Sequence, residues 1–522
     1  MQKSGFSRRR FNQGLAAGGL LADAGSLGLI VPAARAQEPK KGGVYRMGLR
    51  GGSTAETLDP ATYGTGMINH FMTGAVGNCL AEIDAEGVAI PELAESWEAN
   101  ADASRWTFRL RKDVTFHNGK TLSADDVVAS FNYHRGEDSK SGGKSLVAAV
   151  TDIRKDDDLT VVFDLATGNA DFPYVTAEYF FIIFPEKDGK SDWHEGVATG
   201  GYVLKEFDPG VRYGAERYPG YWKEGRAHFD SVEVLGLSDK AARTNALLTG
   251  EVDTIDGVDL DTVRLMKRNP EIEIDAVTGT QHYTMPMFTD VDPFSSVDVR
   301  LALKYAVDRE QLVQTIMAGY GQVGNDSPIT PANRYFNTEM EQRAYDPDKA
   351  KFHLKKAGHD SLKVRLHASD AAFSGAVDTA VLFRESAAKA GIDIEVVREP
   401  ADGYWSNVWL KKPFCMCFWS GRPTEDLMFT TGYASDAPWN DAHWKNERFD
   451  KLLVEARTEL DSEKRRQMYW EMQEIVRDEG GTIIPIYAQY VDAHRTGVTH
   501  GLLAANRNLD GWKSMERWWR TD

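Results

Sequence analysis

The sequence predicts an α/β protein of more than one domain, and three observations carry that reading. A chain of 522 residues exceeds what one hydrophobic core organises. Its 42% apolar content, without a long polar tract, belongs to a globular chain. From residue 298 to 397, helical and strand periods alternate, which implies a largely parallel sheet.

Residues 1–36 are set apart from the fold. Ser7-Arg8-Arg9-Arg10-Phe11 has the pattern of a twin-arginine export signal, and a Gly- and Ala-rich stretch, 14–31, follows. Ala34-Arg35-Ala36 puts small residues where a signal peptidase reads, which predicts Gln37 as the mature start. Asp23 and five glycines in that stretch argue against a membrane anchor, since a charge at mid-span costs about 2.5–3.5 kcal/mol. No other apolar run has spanning length, so a soluble exported chain is expected, periplasmic in a Gram-negative cell.

In the remainder, Val44–Leu49 alternates as a first strand, and apolar residues at helical spacing run from Met67 to Leu80. Arg105–Arg111 alternates apolar with cationic residues, as a half-buried strand does. Ser123 with Asp126 three residues later predicts a capped helix start. Later come a helix over 298–318, a helix from Pro347 ended by Gly358, a strand at 362–367, a helix at 379–390 and a strand at 392–397. Further helix is expected over 450–476, then a strand at 483–487 and an aromatic tail from Trp512 to Trp519.

Composition also limits function. The formal charge of −17 argues against nucleic acid or an anionic membrane as partner. Three cysteines, Cys79, Cys415 and Cys417, make no disulfide framework and are expected as buried thiols. There is no HExxH, CxxC, P-loop or GxSxG pattern, and no cofactor is implied. Gly319–Gly324 fits GxGxxG, but a helix precedes it where a dinucleotide site needs a strand.

Several segments resemble, in order, the signature regions of the family 5 extracellular solute-binding proteins, which serve ABC importers of peptides, nickel and oligosaccharides. They are LAESW (93–97), WTFRLRKDVTFHNGK (106–120), LSADDVV (122–128), ATGGYVLKEF (198–207), YPGYWKEGRAHFDSVEV (218–234), ALLTGEVD (246–253), VDVRLALKYAVDREQLV (297–313) and YDPDKAKFHLKKAG (345–358). The resemblance implies a two-lobed periplasmic-binding-protein fold of type II, with the ligand in the interlobe cleft and an extra subdomain in the first lobe. Lobe I is expected from 37–80, 197–285 and 490–522, its extra subdomain from 81–196, and lobe II from 286–489. It further implies a monomer that captures a small solute, hands it to the membrane permease subunits and breaks no bond. The competing expectation is an exported enzyme such as a hydrolase.

Candidate ligand residues centre on 414–429, an apolar run ending in Ser420-Gly421-Arg422-Pro423. Arg422 and Asp426 are the candidate charged anchors, unless the two pair only with each other. In peptide-binding relatives an Asp shortly after a Trp-x-Gly segment meets the peptide ammonium. Here the corresponding place holds Arg422, a planar fork suited to carboxylate or phosphate. Trp419, Tyr404, Trp405, His282 and Tyr283 are candidate cleft walls, with Tyr63 and Gly64 adding contacts.

Overall fold

Two long antiparallel strands, Ile272–Pro286 and Thr482–Arg495, form the spine of the protein. The computed structural model describes residues 39–400 and 404–521, so the predicted export segment lies outside the described residues. The two strands pair from Ile272↔Arg495 to Pro286↔Thr482, with register breaks between Thr278 and His282 and between Tyr283 and Met285. Gly279 sits in the first break. A Cβ there would lie 2.3 Å from the Tyr490 ring, so only glycine lets that ring lie on the strand.

A nine-stranded sheet is built around this pair. Its order is Tyr202–Asp208, Arg212–Arg217, Ser231–Gly236, Val44–Leu49, Thr254–Ile255, Thr482–Arg495, Ile272–Pro286 and Cys417–Trp419, with Gly321–Val323 also on Thr482–Arg495. Only the pairings of Val44–Leu49 with its two neighbours are parallel there. The separate pair Leu362–Ala368 and Ile392–Arg398 is parallel too. The expected largely parallel sheet is thus corrected to a mixed, mainly antiparallel one. Alternation of helix and strand is local to 297–398, whereas the spine joins segments some two hundred residues apart, which no local period reports.

The spine feeds different cores at its two ends: Ile272, Val491 and Ala493 pack with Leu247 and Met266, while Met285, Ile483 and Ile486 join the second of three larger cores. A first core gathers Tyr45, Phe71, Phe108, Phe163, Tyr213 and Trp518. A second gathers Leu303, Leu366, Phe383, Phe414 and Ile486, and a third packs Phe429, Phe449, Tyr469 and Met472. A four-stranded antiparallel sheet (Ala94–Ala99, Arg105–Leu110, Thr160–Leu165, Val150–Asp157) leans on the first core. Its neighbouring helix, Ala124–Tyr133, begins with the expected reciprocal cap between Ser123 and Asp126.

Elsewhere the helices are shorter than their periodicity suggests. The 298–318 segment is two helices, Val297–Tyr305 and Arg309–Ile316, because the Asp308 carboxylate accepts from Gln311 N at 3.0 Å and starts a second one. The 450–476 segment likewise divides into Glu447–Thr458 and Ser462–Glu479, with Asp461 as the new cap. The 67–80 helix stops at Val76 after a wide turn over Met72–Val76. Cys79, Cys415 and Cys417 are buried free thiols.

Candidate functional site

The Gly421–Pro423 turn closes one side of a narrow cleft. Its other walls come from distant parts of the chain: Thr73 on the wide turn, Tyr174 and Glu178–Tyr179, Thr280 on the spine, and Asn506–Trp512 in the tail. Gly421 makes the turn possible. Its φ is +76°, and a Cβ would lie 2.2 Å from the Thr280 carbonyl oxygen.

Two guanidinium groups face this cleft. Arg422 donates to its neighbour Gly421 O at 2.7 Å and lies over the Trp419 ring at 5.6 Å. It makes no ion pair among the described residues. Burial lowers its pKa, the positive charge of Arg507 lowers it further, and Glu178 opposes both. Arg507 donates to the Glu178 carboxylate at 3.0 Å and is flanked by the rings of Trp512 and Tyr179, at 4.9 and 5.7 Å. Burial disfavours its charge, but Glu178 together with Tyr490 and Tyr179 more than restores it. Two cations against one carboxylate leave the cleft with a net positive charge. Three covered polar atoms of its lining residues, Thr73 Oγ1, Tyr174 OH and Asn506 Oδ1, have no hydrogen-bond partner among the described residues. Such groups are costly unless something in the cleft meets them.

Arg422 also borders a second, open depression of about 550 Å³, walled by Trp405, Trp409, Phe418, Trp419 and Trp439. The rings meet mostly edge to face, with centroids 5.7–6.4 Å apart. Trp409 Nε1 donates to Asp441 at 3.1 Å, and burial pushes the Asp441 carboxyl up to about 6. A charged cleft and an aromatic bowl thus share one arginine.

The sequence-predicted residues divide accordingly. Arg422 lines both spaces, and Trp419 and Trp405 line the bowl. His282 lies between Trp419 and Tyr487 in the sheet, where its Nδ1 faces Thr280 O at 3.1 Å. Burial holds its pKa down, to about 4, so its ring is neutral. Tyr283 is half-buried and stacks on Phe373 at 3.9 Å. Tyr404 is buried and donates to Met416 O at 2.7 Å, and Tyr63 is buried and donates to Leu58 O at 3.1 Å. Neither lines the cleft or the bowl.

Asp426 does not pair with Arg422. It receives Arg457 Nε at 3.1 Å, and burial pushes its carboxyl up to about 6. Its position on the helix Glu425–Gly432, capped by Thr424, turns it away from the turn that carries Arg422. Sequence reasoning missed Arg507, Glu178 and Trp512. One signal was present: Asp510-Gly511 heads a tight reversal in which Leu509 to Trp512 all have positive φ.

Contacts also bridge the two sides of the cleft. The Arg465 guanidinium meets the Asp171 carboxylate at 2.5 and 2.7 Å, both groups buried, and Ala170 N donates to Arg457 O at 2.8 Å. A cleft between two cores, held by residues from both, defines a binding protein of the two-lobed solute-capturing class.

The comparisons place it further. The family described as bacterial extracellular solute-binding proteins, family 5 (middle region), matches residues 88–441, and the chain belongs to that family. The dipeptide-binding protein of Escherichia coli (strain K12) is 26% identical over 76% of this chain and 80% of its own length. Heme-binding protein A of Haemophilus influenzae is 28% identical over 74% and 77%. Among solved structures, HbpA2 from Haemophilus parasuis superposes with a TM-score of 0.80 at 22% identity, covering 90% of this chain and 99% of that one. The protein is a substrate-binding component of an ABC importer. Among the described residues no helix is long and apolar enough to cross a membrane.

Proposed function

We propose that this protein captures a small peptide- or amino-acid-like solute bearing a carboxylate or similar anion, and presents it to its permease. The observation that carries this is Arg422, a half-buried guanidinium at the cleft with no carboxylate partner among the described residues. Arg507 would share the anion or steer it. Glu178, already bonded to Arg507, would balance a ligand ammonium, which suits a zwitterion. The tryptophan bowl beside Arg422 would take an apolar side chain of the solute. The proposal includes the lobe boundaries expected from the sequence, export by the twin-arginine route with cleavage after Ala36, and action as a monomer in the periplasm.

The test starts with mass spectrometry of whatever copurifies with the native protein, followed by calorimetry with that compound. Arg422→Ala is expected to weaken a carboxylate-bearing solute more than tenfold, on the order of 1.5–3 kcal/mol for a charged hydrogen bond. An unchanged dissociation constant refutes the anchor. Chemical conversion of the bound compound refutes the transport reading itself.

A further inference from the structure

Toward the Ile272 end of the spine, four side chains converge. Glu273 and Asp275 stand two residues apart on one strand, so both project to the same face, and His494 is the cross-strand partner of Glu273. His500 arrives from the segment that follows the short strand Val498–Thr499. Asp275 Oδ2 lies 3.4 Å from His494 Nε2, Asp275 Oδ1 lies 3.2 Å from His500 Nε2, and Glu273 Oε2 lies 3.6 Å from His494 Nε2. The ligand atoms of Asp275, His494 and His500 all fall within 4.8 Å of one another.

The orientation of the rings matters more than their proximity. His494 Nδ1 faces the Arg495 carbonyl oxygen at 3.1 Å, and His500 Nδ1 faces the Gly501 carbonyl oxygen at 2.7 Å. A carbonyl only accepts, so each Nδ1 carries the hydrogen, and each neutral ring turns its Nε2 lone pair inward. Both lone pairs then face the oxygens of one carboxylate, acceptor against acceptor. His494 is nine-tenths buried or more, and its Nε2, like Asp275 Oδ2, has no hydrogen-bond partner among the described residues. Either a proton on each ring or a bound cation resolves such a convergence. Backbone carbonyls holding Nδ1–H are also the usual outer support of a metal-bound histidine.

We propose that Asp275, His494 and His500 form a binding site for a divalent transition-metal ion of the zinc type, with Glu273 as a fourth ligand. Two imidazoles and one or two carboxylates suit Zn²⁺, Co²⁺ or Ni²⁺ over the hard cations, which prefer all-oxygen sites. Metal–ligand bonds of about 2.0–2.1 Å set tetrahedral ligand atoms roughly 3.3 Å apart, close to the observed spacings. Glu273 is the most exposed of the four, which gives an entry path, and the Trp518 ring covers the other side at 4.7 Å from His500. The metal would tie the two spine strands to the tail just above the register break. This inference is independent of the solute proposed for the cleft.

The experiment uses untagged full-length mature protein stripped with a chelator and titrated with Zn²⁺ alone by calorimetry, with Co²⁺ absorption as the coordination readout. One equivalent is expected to bind, to raise the melting temperature and, as Co²⁺, to show the intense visible bands of a four-coordinate site. His500→Ala and Asp275→Asn should each weaken Zn²⁺ at least tenfold, and Glu273→Gln less. His443→Ala, which removes a surface imidazole paired with Asp290, should leave affinity unchanged. Circular dichroism checks that each variant is folded. Should Asp275→Asn unfold, His500→Ala, a change at a half-buried side chain on the tail, decides alone. Absence of stoichiometric binding, or equal affinity in wild type and His500→Ala, overturns the proposal and leaves a histidine–carboxylate cluster satisfied by protons only.

Discussion

Arg465→Met tests how much the pair Asp171–Arg465 contributes to closure of the cleft. Both charges are buried, at 3% and 7% side-chain exposure, and the guanidinium meets the carboxylate with two bonds. Arg465 also donates to Ala456 O and Tyr469 OH, on its own side of the cleft. Those bonds persist in an open form and cancel from the comparison, so the difference between open and closed rests on Asp171. Removing the partner of a buried charge costs about 3–5 kcal/mol, whereas an Asp171 exposed by opening would be hydrated and lose little. A binding-competent state made rarer by that amount weakens apparent solute affinity by roughly two to nearly four orders of magnitude. Methionine keeps most of the packed stem, so the loss would report charge. Calorimetry with the copurifying solute reads the affinity, and small-angle scattering reads whether the radius of gyration still contracts on binding. The double variant Asp171→Leu with Arg465→Met should recover part of the loss, since no lone charge remains. Equal affinity in wild type and Arg465→Met, or no recovery in the double variant, would refute the reasoning.

Three further outcomes are expected. Gly421→Ala forces a Cβ to 2.2 Å from Thr280 O at a φ of +76°, so it should lower stability by at least about 1–2 kcal/mol and abolish solute binding, read by melting temperature and calorimetry. Burial pushes the Glu425 carboxyl up to about 7, so the folded chain keeps a proton that the unfolded chain releases. Its contribution to stability is then full below about pH 4.5 and lost as pH rises through about 7; Glu425→Gln should flatten that fall by up to about 3 kcal/mol in denaturant titrations at pH 5 and 8. Arg507→Met should weaken an anionic solute and also free Glu178, so a cationic solute should gain affinity relative to wild type in a calorimetric panel.

What the sequence made legible was mostly local. The Ser123–Asp126 cap, the Pro347 helix start and the buried thiols follow from neighbours in the chain, and they stand in the structure. Arg422 was legible because a charged turn ending an apolar run is itself a local signal. Its run is less regular than expected: only Cys417–Trp419 is strand, while Phe414 and Cys415 make single bridges to Met287 and His367. Arg507 was not legible, because it meets Glu178 across more than three hundred residues. Asp426 went astray for the same reason, since nothing near it in the chain announces Arg457. Pairing direction in the main sheet was also a long-range fact, set by two strands whose separation carries no periodic signal.

The spine has a consequence for how the chain comes into being. Thr254–Ile255 is bordered on one side by Val44–Leu49 and on the other by Thr482–Arg495, and the first core is capped by Trp518. While the ribosome is still making residue 480, the amino-terminal half therefore lacks its neighbouring strand and a wall of its core. Its sheet keeps an open edge until Thr482–Arg495 has been made, an edge that invites pairing with other chains. Maturation is thereby postponed until Thr482–Arg495 and Trp518 have been made, and a ribosome that stalls before them would release a chain without a native amino-terminal half.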